Sequence, residues 1–208
     1  MTIETTIEIN LFKQIIECAM LAAGEPLSLE RLQQLFAEES RPELAEIREV
    51  LDQIGVDCEP RGLTLKEVAS GYCLQIQPQL QSWISRLWEK RPPRYSRALL
   101  ETLALIAYRQ PITRAGIEDI RSVSISSSIF KTLMEREWIR VAGHKDVPGK
   151  PALYATTQQF LDYFNLKNLD ELPSLPDIES TLKMFGEVEA ATVEASESLT
   201  PTAEIEEA

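Results

Sequence analysis

Glycine, histidine and cysteine are scarce in this sequence, and each shortage excludes a class of chemistry. The eight glycines form neither a P-loop nor a dinucleotide-binding fingerprint. One histidine and three cysteines without CxxC spacing are too few for a zinc site. His144, the single histidine, stands in a predicted wing tip and is interpreted as a solvated loop residue. No hydrolase, kinase or reductase signature is present, so we expect a protein without catalytic residues, metal or cofactor.

Two further absences concern the compartment. The apolar runs stay well under the ~18 residues of a membrane-spanning helix. The first six residues contain no basic region followed by an apolar core, so a secretory signal is not expected. Cys18, Cys58 and Cys73 are odd in number, as is typical of thiols kept reduced in a cytosol. We therefore expect a cytoplasmic protein with no membrane association.

Basic residues are outnumbered, and the deficit is uneven along the chain. The net charge is −12, but residues 177–208 carry nine acidic side chains and one lysine, which leaves −4 for the rest. A mildly acidic body does not attract a phosphate backbone over long range. Strong DNA binding by this chain alone is therefore not expected.

Between residues 96 and 164 the sequence predicts the secondary-structure order of a winged helix, which is three helices followed by a hairpin. An apolar helical run at 98–108 leads through a proline turn into a second helix from Thr113, and a third helical pattern follows at 124–135. Residues 138–154 then form the two arms of a predicted hairpin. A winged helix binds either DNA or another protein, and both kinds of partner are compatible with this order.

The same pattern occurs a second time, 85 residues earlier in the chain. Residues 19–22 correspond to 104–107, and the Pro-Leu-Ser of 26–28 corresponds to the Pro-Ile-Thr of 111–113. Because the proline and the capping hydroxyl recur with the apolar positions, a tandem domain explains the repeat better than chance similarity. The serine and the threonine of these segments are the predicted N-caps.

The remainder of the first copy also follows the winged-helix order. Helical spacing at 42–54, with Gly55 as the expected C-cap, precedes an alternating hairpin at 62–76. A closing helix is predicted at 80–89, because Pro92 and its neighbour cannot donate to a helix.

We therefore predict a mainly α fold with small β-hairpin wings (α+β), built from two tandem winged-helix domains and an acidic tail. The expected boundaries are 1–91 for the first domain, 92–96 for the linker, 97–176 for the second domain and 177–208 for the tail.

The tail is poor in large apolar residues, so we expect it to be disordered. It contains one apolar group that either packs loosely on the second domain or folds on a partner: Ile178, Leu182, Met184 and Phe185.

Long ordered motifs run through both predicted domains. They are Ala22-Ala23-Gly24-Glu25-Pro26-Leu27 and the segments 104–114, 120–123, 143–157, 160–164 and 169–173. Together they resemble the segregation and condensation protein B (ScpB) family of bacteria over about residues 10–176.

The resemblance implies a homodimer joined mainly through the N-terminal winged helices. It also implies a complex with a kleisin subunit and, through the kleisin, with an SMC ATPase that organises the chromosome. In that setting the protein has no active site. It would bind the middle of the kleisin and support chromosome condensation and partition during cell division.

Four positions depart from the residues usual in the family. Ser122, Glu137 and Asn165 stand where glycine is usual, and a left-handed conformation at Glu137 would cost about 1 kcal/mol. Asn tolerates that conformation. His144 stands where arginine is usual, which weakens the case for a phosphate contact at the wing.

The third helix of each copy argues against base readout. In the second copy the side chains expected to face the core are Ile125, Ile129, Leu133 and Met134. The serines, Lys131 and Thr132 remain outward, and serine hydroxyls can contact phosphates but discriminate bases poorly. The corresponding helix of the first copy carries acids that would repel a phosphate surface: Glu43, Glu46, Glu49 and Asp52.

One basic concentration surrounds the predicted linker. It comprises Arg86, Lys90, Arg91, Arg94 and Arg97. These side chains either pair with acidic groups or are simply solvated. Alternatively, they make a weak, sequence-independent DNA contact once an SMC complex supplies the rest of the binding energy.

The candidates for partner binding fall into two sets. Side chains that border the second wing and carry amphipathic or rigid groups are assigned to the kleisin: Tyr108, Pro148, Lys150 and Tyr154. Leu153, Phe160 and Phe164 are assigned to the core. An apolar excess on the first helix is assigned to the dimer interface: Leu11, Phe12 and Ile15, beside Ile16.

These observations favour a cytoplasmic, nucleoid-associated, homodimeric adaptor of an SMC–kleisin complex, without enzymatic activity. The alternative is a winged-helix DNA-binding transcription regulator. A self-assembling scaffold is a third possibility, and it would form concentration-dependent polymers.

Overall fold

The structure is a computed structural model that describes residues 3–87 and 95–174, with side chains described from Asn10 onward in the first helix. The described residues up to Leu169 belong to one compact unit. The predicted linker lies partly outside the described residues, and the tail from 177 lies wholly outside them, so the four domain boundaries stay a prediction.

The first half of the unit has the predicted order of helices followed by a hairpin. Its elements are α1 (Ile3–Ala23), α2 (Leu29–Gln33), α3 (Leu44–Cys58), β1 (Leu63–Val68), β2 (Gly71–Ile76) and α4 (Gln81–Ile84). Short 3-10 turns occupy Glu38–Ser40, Glu59–Arg61, Pro78–Leu80 and Ser85–Leu87.

The second half repeats that order. Its elements are α5 (Arg97–Arg109), β3 (Ile112–Thr113), α6 (Arg114–Arg121), α7 (Ser127–Glu135), β4 (Ile139–His144), β5 (Ala152–Thr156) and α8 (Gln158–Tyr163), followed by a 3-10 turn at Leu169–Glu171. The fold is thus mainly helical with small antiparallel sheets, and the predicted α+β winged-helix class is confirmed.

The repeated Pro-apolar-hydroxyl segment has the same structural role in both halves. Leu27 exchanges two backbone hydrogen bonds with Tyr72 of β2, at 2.9 and 2.8 Å. Ile112 pairs with Tyr154 of β5 in the same antiparallel sense. The segment after the proline thus forms an isolated bridge to the hairpin in the first half and a short third strand in the second.

The capping hydroxyls also behave as predicted. The Ser28 Oγ accepts from the Arg31 N–H at 3.3 Å, and the Thr113 Oγ1 accepts from the Gly116 N–H at 3.1 Å. Each bond satisfies one of the free amides at the start of a helix. The segment that pairs with the wing thus also starts the next helix.

Each half has its own apolar core. The most buried side chains of the first core are Ile16, Leu32, Ile47, Leu51 and Ile54, and those of the second are Ile106, Ile117, Ile125, Leu133 and Trp138. Burying one such side chain is worth about 1.5–3 kcal/mol relative to leaving it in water. Phe160 is also buried, as expected, and Leu153 is half-buried.

Several sequence-based expectations are wrong in detail. Gly55 does not end its helix: α3 continues to Cys58, whose side chain is fully buried, and the left-handed turn comes at Gly62 instead. Met134 is 42 % exposed and Phe164 is 39 % exposed, so neither is a core residue. Phe164 nevertheless packs its ring against Trp138, at 5.4 Å between centroids.

The third helix of the second half and the predicted closing helix also differ from expectation. α7 begins only at Ser127, because the Ser126 Oγ caps it by accepting from the Ser128 N–H. The closing helix is replaced, as far as Leu87, by one α-helical turn between two 3-10 turns. Its Trp83 and Leu87 are 63 % and 74 % exposed instead of packing on a core. Residues 88 and 89 lie outside the described residues.

Ser122, Glu137 and Asn165 all adopt the left-handed conformation, with φ of 55°, 57° and 59°. The residues that stand in place of glycine therefore keep the backbone geometry that glycine favours. The left-handed conformation considered for Glu137 is therefore present.

Gly71 allows the closest backbone approach in the first half. A Cβ at this position would lie 2.2 Å from the Leu27 carbonyl oxygen and 2.6 Å from the Ser28 nitrogen, and its φ of +137° is one that side chains rarely adopt. We predict that Gly71→Ala lowers the free energy of unfolding by about 2–5 kcal/mol, through backbone strain and overpacking. Urea denaturation followed by circular dichroism measures this change.

Gly24→Ala is the matched control. Gly24 also has a positive φ of +64°, but a Cβ there meets no atom within 4 Å. Its substitution should cost only about 1 kcal/mol. Equal destabilisation in the two variants would show that the approach of Gly71 to Leu27 contributes nothing.

Candidate partner-binding surfaces

An apolar groove opens on the first half beside α1. Its apolar lining consists of Leu11, Phe12, Ile15, Phe36 and Val50, and its volume is about 710 Å³. Leu11 and Ile15 are 56 % and 36 % exposed, whereas Ile16 is fully buried. Large aliphatic side chains grouped at the surface typically mark an interaction site.

Helical spacing explains why α1 is apolar on two faces. Ile16 and Met20 are four residues apart and point into the core, while Leu11 and Ile15 form a second four-residue ridge beside them. Phe12 lies between the two ridges and packs edge-on against Phe36, with 5.0 Å between ring centroids. Phe12 therefore forms a wall of the apolar groove, and the exposed contact area comes from Leu11 and Ile15.

The rim of the apolar groove is polar and carries mostly negative charge. It is formed by Ser40, Arg41, Pro42, Glu46, Glu49 and Gln53. The Glu46 carboxylate accepts from the Glu43 N–H at 2.8 Å as part of a capping box. An apolar centre within a polar rim suits a protein partner, and the acids on α3 oppose a phosphate backbone.

The second wing ends in a tight turn that presents two of the four residues assigned to the kleisin. The Lys150 N–H donates to the Val147 carbonyl at 2.9 Å, and the Lys145 N–H donates to the Pro151 carbonyl at 2.9 Å. These bonds fix the turn and leave Pro148 and Lys150 exposed on it.

The other two members of that set lie on regular elements. Tyr154 stands in β5, where it pairs with Ile112 and Val141, and its ring packs against Phe130 at 4.7 Å between centroids. Tyr108 lies on α5 and is half-buried, and this burial raises the pKa of its phenol. The turn therefore brings Pro148 and Lys150 together at the surface. Tyr154 and Tyr108 are half-buried, so they are less available to a partner than the sequence suggests.

The serine-rich start of α7 is engaged within the protein. The Ser126 Oγ caps the helix and lies 2.8 Å from the Ser128 Oγ, and the Ser127 Oγ accepts from the Arg114 guanidinium at 3.1 Å. Arg114 also binds the Glu118 carboxylate at 3.0 Å. These hydroxyls and this arginine are therefore less available to phosphates than an unpaired set would be.

Glu118 anchors the segment that leads into α7. Its Oε1 accepts from the Ile125 N–H at 2.8 Å. That backbone hydrogen bond, followed by the one from Arg114, holds the pKa of the Glu118 carboxyl below its usual value. The segment that would have to enter a DNA groove is thus held by the fold's own hydrogen bonds.

Only part of the basic concentration lies in the described residues. Arg86 is exposed in the 3-10 turn after α4. Arg97 is also exposed and pairs through its Nε with the Glu101 carboxylate at 2.8 Å. Lys90, Arg91 and Arg94 lie outside the described residues.

One exposed apolar surface was not predicted from the sequence. The Arg121 guanidinium binds Glu101 at 2.7 Å, so the end of α6 lies beside the first turns of α5. Leu100, Ile120 and Val123 lie within two residues of Glu101 or Arg121 in the sequence and are 42 %, 53 % and 53 % exposed. We call these three residues the α5–α6 patch. Ile120 corresponds to Leu35 in the repeat, which is also exposed, and that correspondence is the one signal that could have revealed it.

Among the described residues, the groups most capable of nucleophilic or metal-binding chemistry are the cysteine thiols and His144. Burial raises the pKa of the Cys58 and Cys73 thiols, which lowers the fraction of nucleophilic thiolate. His144 is exposed at the end of β4. Among residues 3–87 and 95–174, no three His, Cys, Asp or Glu side chains cluster as a metal site requires. Within the same ranges, every helix is too short or too polar to cross a bilayer.

The chain is similar to known proteins over most of its length. The Segregation and condensation protein B homolog of Coxiella burnetii is 55 % identical over 196 residues, covering 92 % of this chain and 94 % of that protein. Segregation and condensation protein B of Syntrophotalea carbinolica is 42 % identical and covers 82 % of this chain and 85 % of that protein.

A solved structure is similar over a comparable length. The crystal structure of ScpB from Mycobacterium tuberculosis is 24 % identical and covers 76 % of this chain and 97 % of that one, with a TM-score of 0.35. The family described as "Segregation and condensation complex subunit ScpB" matches residues 14–175. The resemblance of the sequence motifs is thus confirmed by the family match and by the two relatives, and the protein belongs to the ScpB family of segregation and condensation complex subunits.

Proposed function

We propose that this chain is a homodimeric adaptor of a bacterial SMC–kleisin complex that supports chromosome condensation and partition during cell division. It dimerises through the apolar groove of the first half and binds the kleisin with the wing of the second half. The observation that supports the proposal is that two copies of one fold, in a member of the ScpB family, expose surfaces of different shape and chemistry: an apolar groove in the first half and a hydrogen-bonded turn in the second. The family is not one of known enzymes, and the adaptor needs no cofactor.

Two arguments support dimerisation through the apolar groove: the exposure of its aliphatic side chains and the symmetry of an interface between identical copies. Leu11 and Ile15 present aliphatic area beside a complete core, so their burial is not needed for folding and is available for association. A second copy would bring an identical ridge and an identical groove, as a two-fold symmetric interface requires.

The rigidity of the turn in the second wing supports kleisin binding there. Pro148 and Lys150 stand on a turn fixed by backbone hydrogen bonds, so little conformational entropy is given up when they contact a partner. Through the kleisin the chain would reach the SMC ATPase, and its place of action would be the cytoplasm at the nucleoid.

DNA contact is the weaker part of the proposal. Arg86 and Arg97 are exposed near the predicted linker, but α3 is acidic and the serines of α7 are engaged internally. Any DNA contact would therefore be weak and sequence-independent. The alternative function, a DNA-binding transcription regulator, requires a basic recognition surface that the described third helices do not provide.

Dimerisation is tested by substitutions in the apolar groove. Leu11→Glu together with Ile15→Glu should raise the dissociation constant about 100-fold or more, because carboxylates would be desolvated in an apolar interface. Light scattering after size exclusion should give twice the chain mass of 23.5 kDa for the wild type and the single-chain mass for the variant.

Val56→Glu is the control for this experiment. Val56 is 70 % exposed on α3 and does not line the apolar groove. It should leave the dimer intact. A dimeric double variant, or a monomeric wild type, would contradict dimerisation through this groove, and concentration-dependent polymers would instead indicate a scaffold.

Kleisin binding is tested by substitutions on the turn of the second wing. Pro148→Asp together with Lys150→Glu should weaken binding of the kleisin subunit at least about 10-fold in titration calorimetry, because the rigid apolar ring is removed and a charge is reversed. Both residues are exposed on the turn, so the fold should be unaffected.

Ile120→Asp in the α5–α6 patch tests the competing surface. It should leave kleisin affinity unchanged if the wing is the binding site. Weakened binding in Ile120→Asp, with normal binding in the wing variant, would move the kleisin site to the α5–α6 patch.

DNA contact is tested by neutralising the basic residues around the predicted linker. Binding of a random duplex, followed by fluorescence anisotropy over a range of salt concentrations, should be weak for the chain alone. Neutralising Arg86, Lys90, Arg91, Arg94 and Arg97 to Gln should reduce the salt slope by about 0.9 for each phosphate that these side chains neutralise in the wild type. An unchanged slope would rule out these five residues, and tight binding without the kleisin would favour the transcription regulator.

A further inference from the structure

The turn of the first hairpin touches the C-terminal end of α8, at the other end of the compact unit's sequence. The Ser70 N–H donates to the Asp162 Oδ1 at 2.9 Å, and the Ser70 hydroxyl donates to the Asp162 Oδ2 at 2.5 Å. One carboxylate of the second half thus binds both donors of one serine in the first half.

Both backbone groups of Ala69 also bind the second half. The Ala69 N–H donates to the Leu166 carbonyl at 3.0 Å, and the Gln158 Nε2 donates to the Ala69 carbonyl at 3.1 Å. The turn between β1 and β2 is therefore held at every hydrogen-bonding group of its first residue.

Two side-chain pairs flank these bonds. The Gln75 Nε2 donates to the Asn165 Oδ1 at 2.5 Å, and the left-handed φ of 59° at Asn165 turns the chain at this point. Lys167 pairs with the Glu67 carboxylate at 2.5 Å, and this contact holds the pKa of the Glu67 carboxyl below its usual value. We call the whole set the hairpin–α8 joint: Glu67, Ala69, Ser70 and Gln75 with Gln158, Asp162, Asn165, Leu166 and Lys167.

The joint differs from the two cores in chemistry. Its bonds are polar and partly exposed, so water can replace each of them at small net cost. Among the described elements, every closely packed pair of helices or strands lies within one half. A cleft of about 650 Å³ lies beside the joint, lined by Met20, Leu21 and Pro26 on one side and Gln159 and Tyr163 on the other.

An aromatic cluster attaches α8 to the start of the second half. The Tyr163 hydroxyl lies 3.2 Å from that of Tyr95, and the Arg136 guanidinium stacks 4.7 Å from the Tyr95 ring and 5.5 Å from that of Trp138. These contacts tie α8 and the start of the second half to each other. Separation at the joint would therefore carry α8 away together with the second half.

We propose that the hairpin–α8 joint is a reversible latch between the two winged helices. When closed, it fixes the angle between the apolar groove and the second wing. When open, its bonds exchange for water while both cores stay folded. The latch stands on contacts within one chain and does not depend on the proposed partners.

Amide hydrogen exchange followed by NMR on the full chain tests this directly. The Ala69 and Ser70 amides bind across the joint, whereas the Leu27 and Tyr72 amides bind each other's residue within the first half. In the wild type, the first pair should exchange faster than the second, because the latch opens without unfolding the half. Asp162→Ala should speed exchange of the first pair about 10-fold and leave the second pair unchanged.

Two further variants keep the test decisive. Glu67→Gln removes the charge that pairs with Lys167 but keeps an oxygen that can accept from the Tyr72 hydroxyl, so it should give a smaller acceleration, of about 3-fold, at the same two amides. Asp146→Ala, on the exposed second wing, is the matched control and should change none of the four. Equal exchange of all four amides in the wild type would overturn the latch. So would an Asp162→Ala variant that accelerates all four amides alike, or none of them.

Discussion

The pairing of one short segment with the returning strand of a hairpin holds each half of this protein together. In the first half Leu27 bonds to Tyr72, and in the second Ile112 pairs with Tyr154. The next residue, a serine or a threonine, caps the following helix. Adjacent residues form the strand pairing and the helix cap. The hairpin and the start of the second helix are therefore fixed relative to each other.

Two copies of this arrangement support different surfaces. In the first half an aliphatic ridge of α1 remains outside the core, whereas in the second a turn fixed by backbone hydrogen bonds ends the wing. The third helices are unsuited to base readout for separate reasons: α3 is acidic, and the serines of α7 bind within the protein. A duplicated winged helix can thus serve protein–protein contacts, as membership of the ScpB family indicates.

The sequence predicts features that depend on neighbouring residues, such as helix caps. It does not predict features that depend on contacts between distant residues. The caps at Ser28 and Thr113 follow from residues within one turn, and they were predicted. Gly55 was misread as a helix end because the burial of Cys58, which favours a longer α3, depends on tertiary packing. The bond between Ser70 and Asp162 joins residues 92 apart and leaves no periodic trace, so no pattern could reveal it.

The central claim is that the two halves divide the work, the first binding a second copy and the second binding the kleisin. Site-specific photocrosslinking tests it most directly, with a benzophenone amino acid placed at Leu11 or at Lys150 in the assembled complex. The account predicts that the probe at Leu11 crosslinks to another copy of this chain and that the probe at Lys150 crosslinks to the kleisin. A kleisin product from Leu11, or none from Lys150, would contradict it.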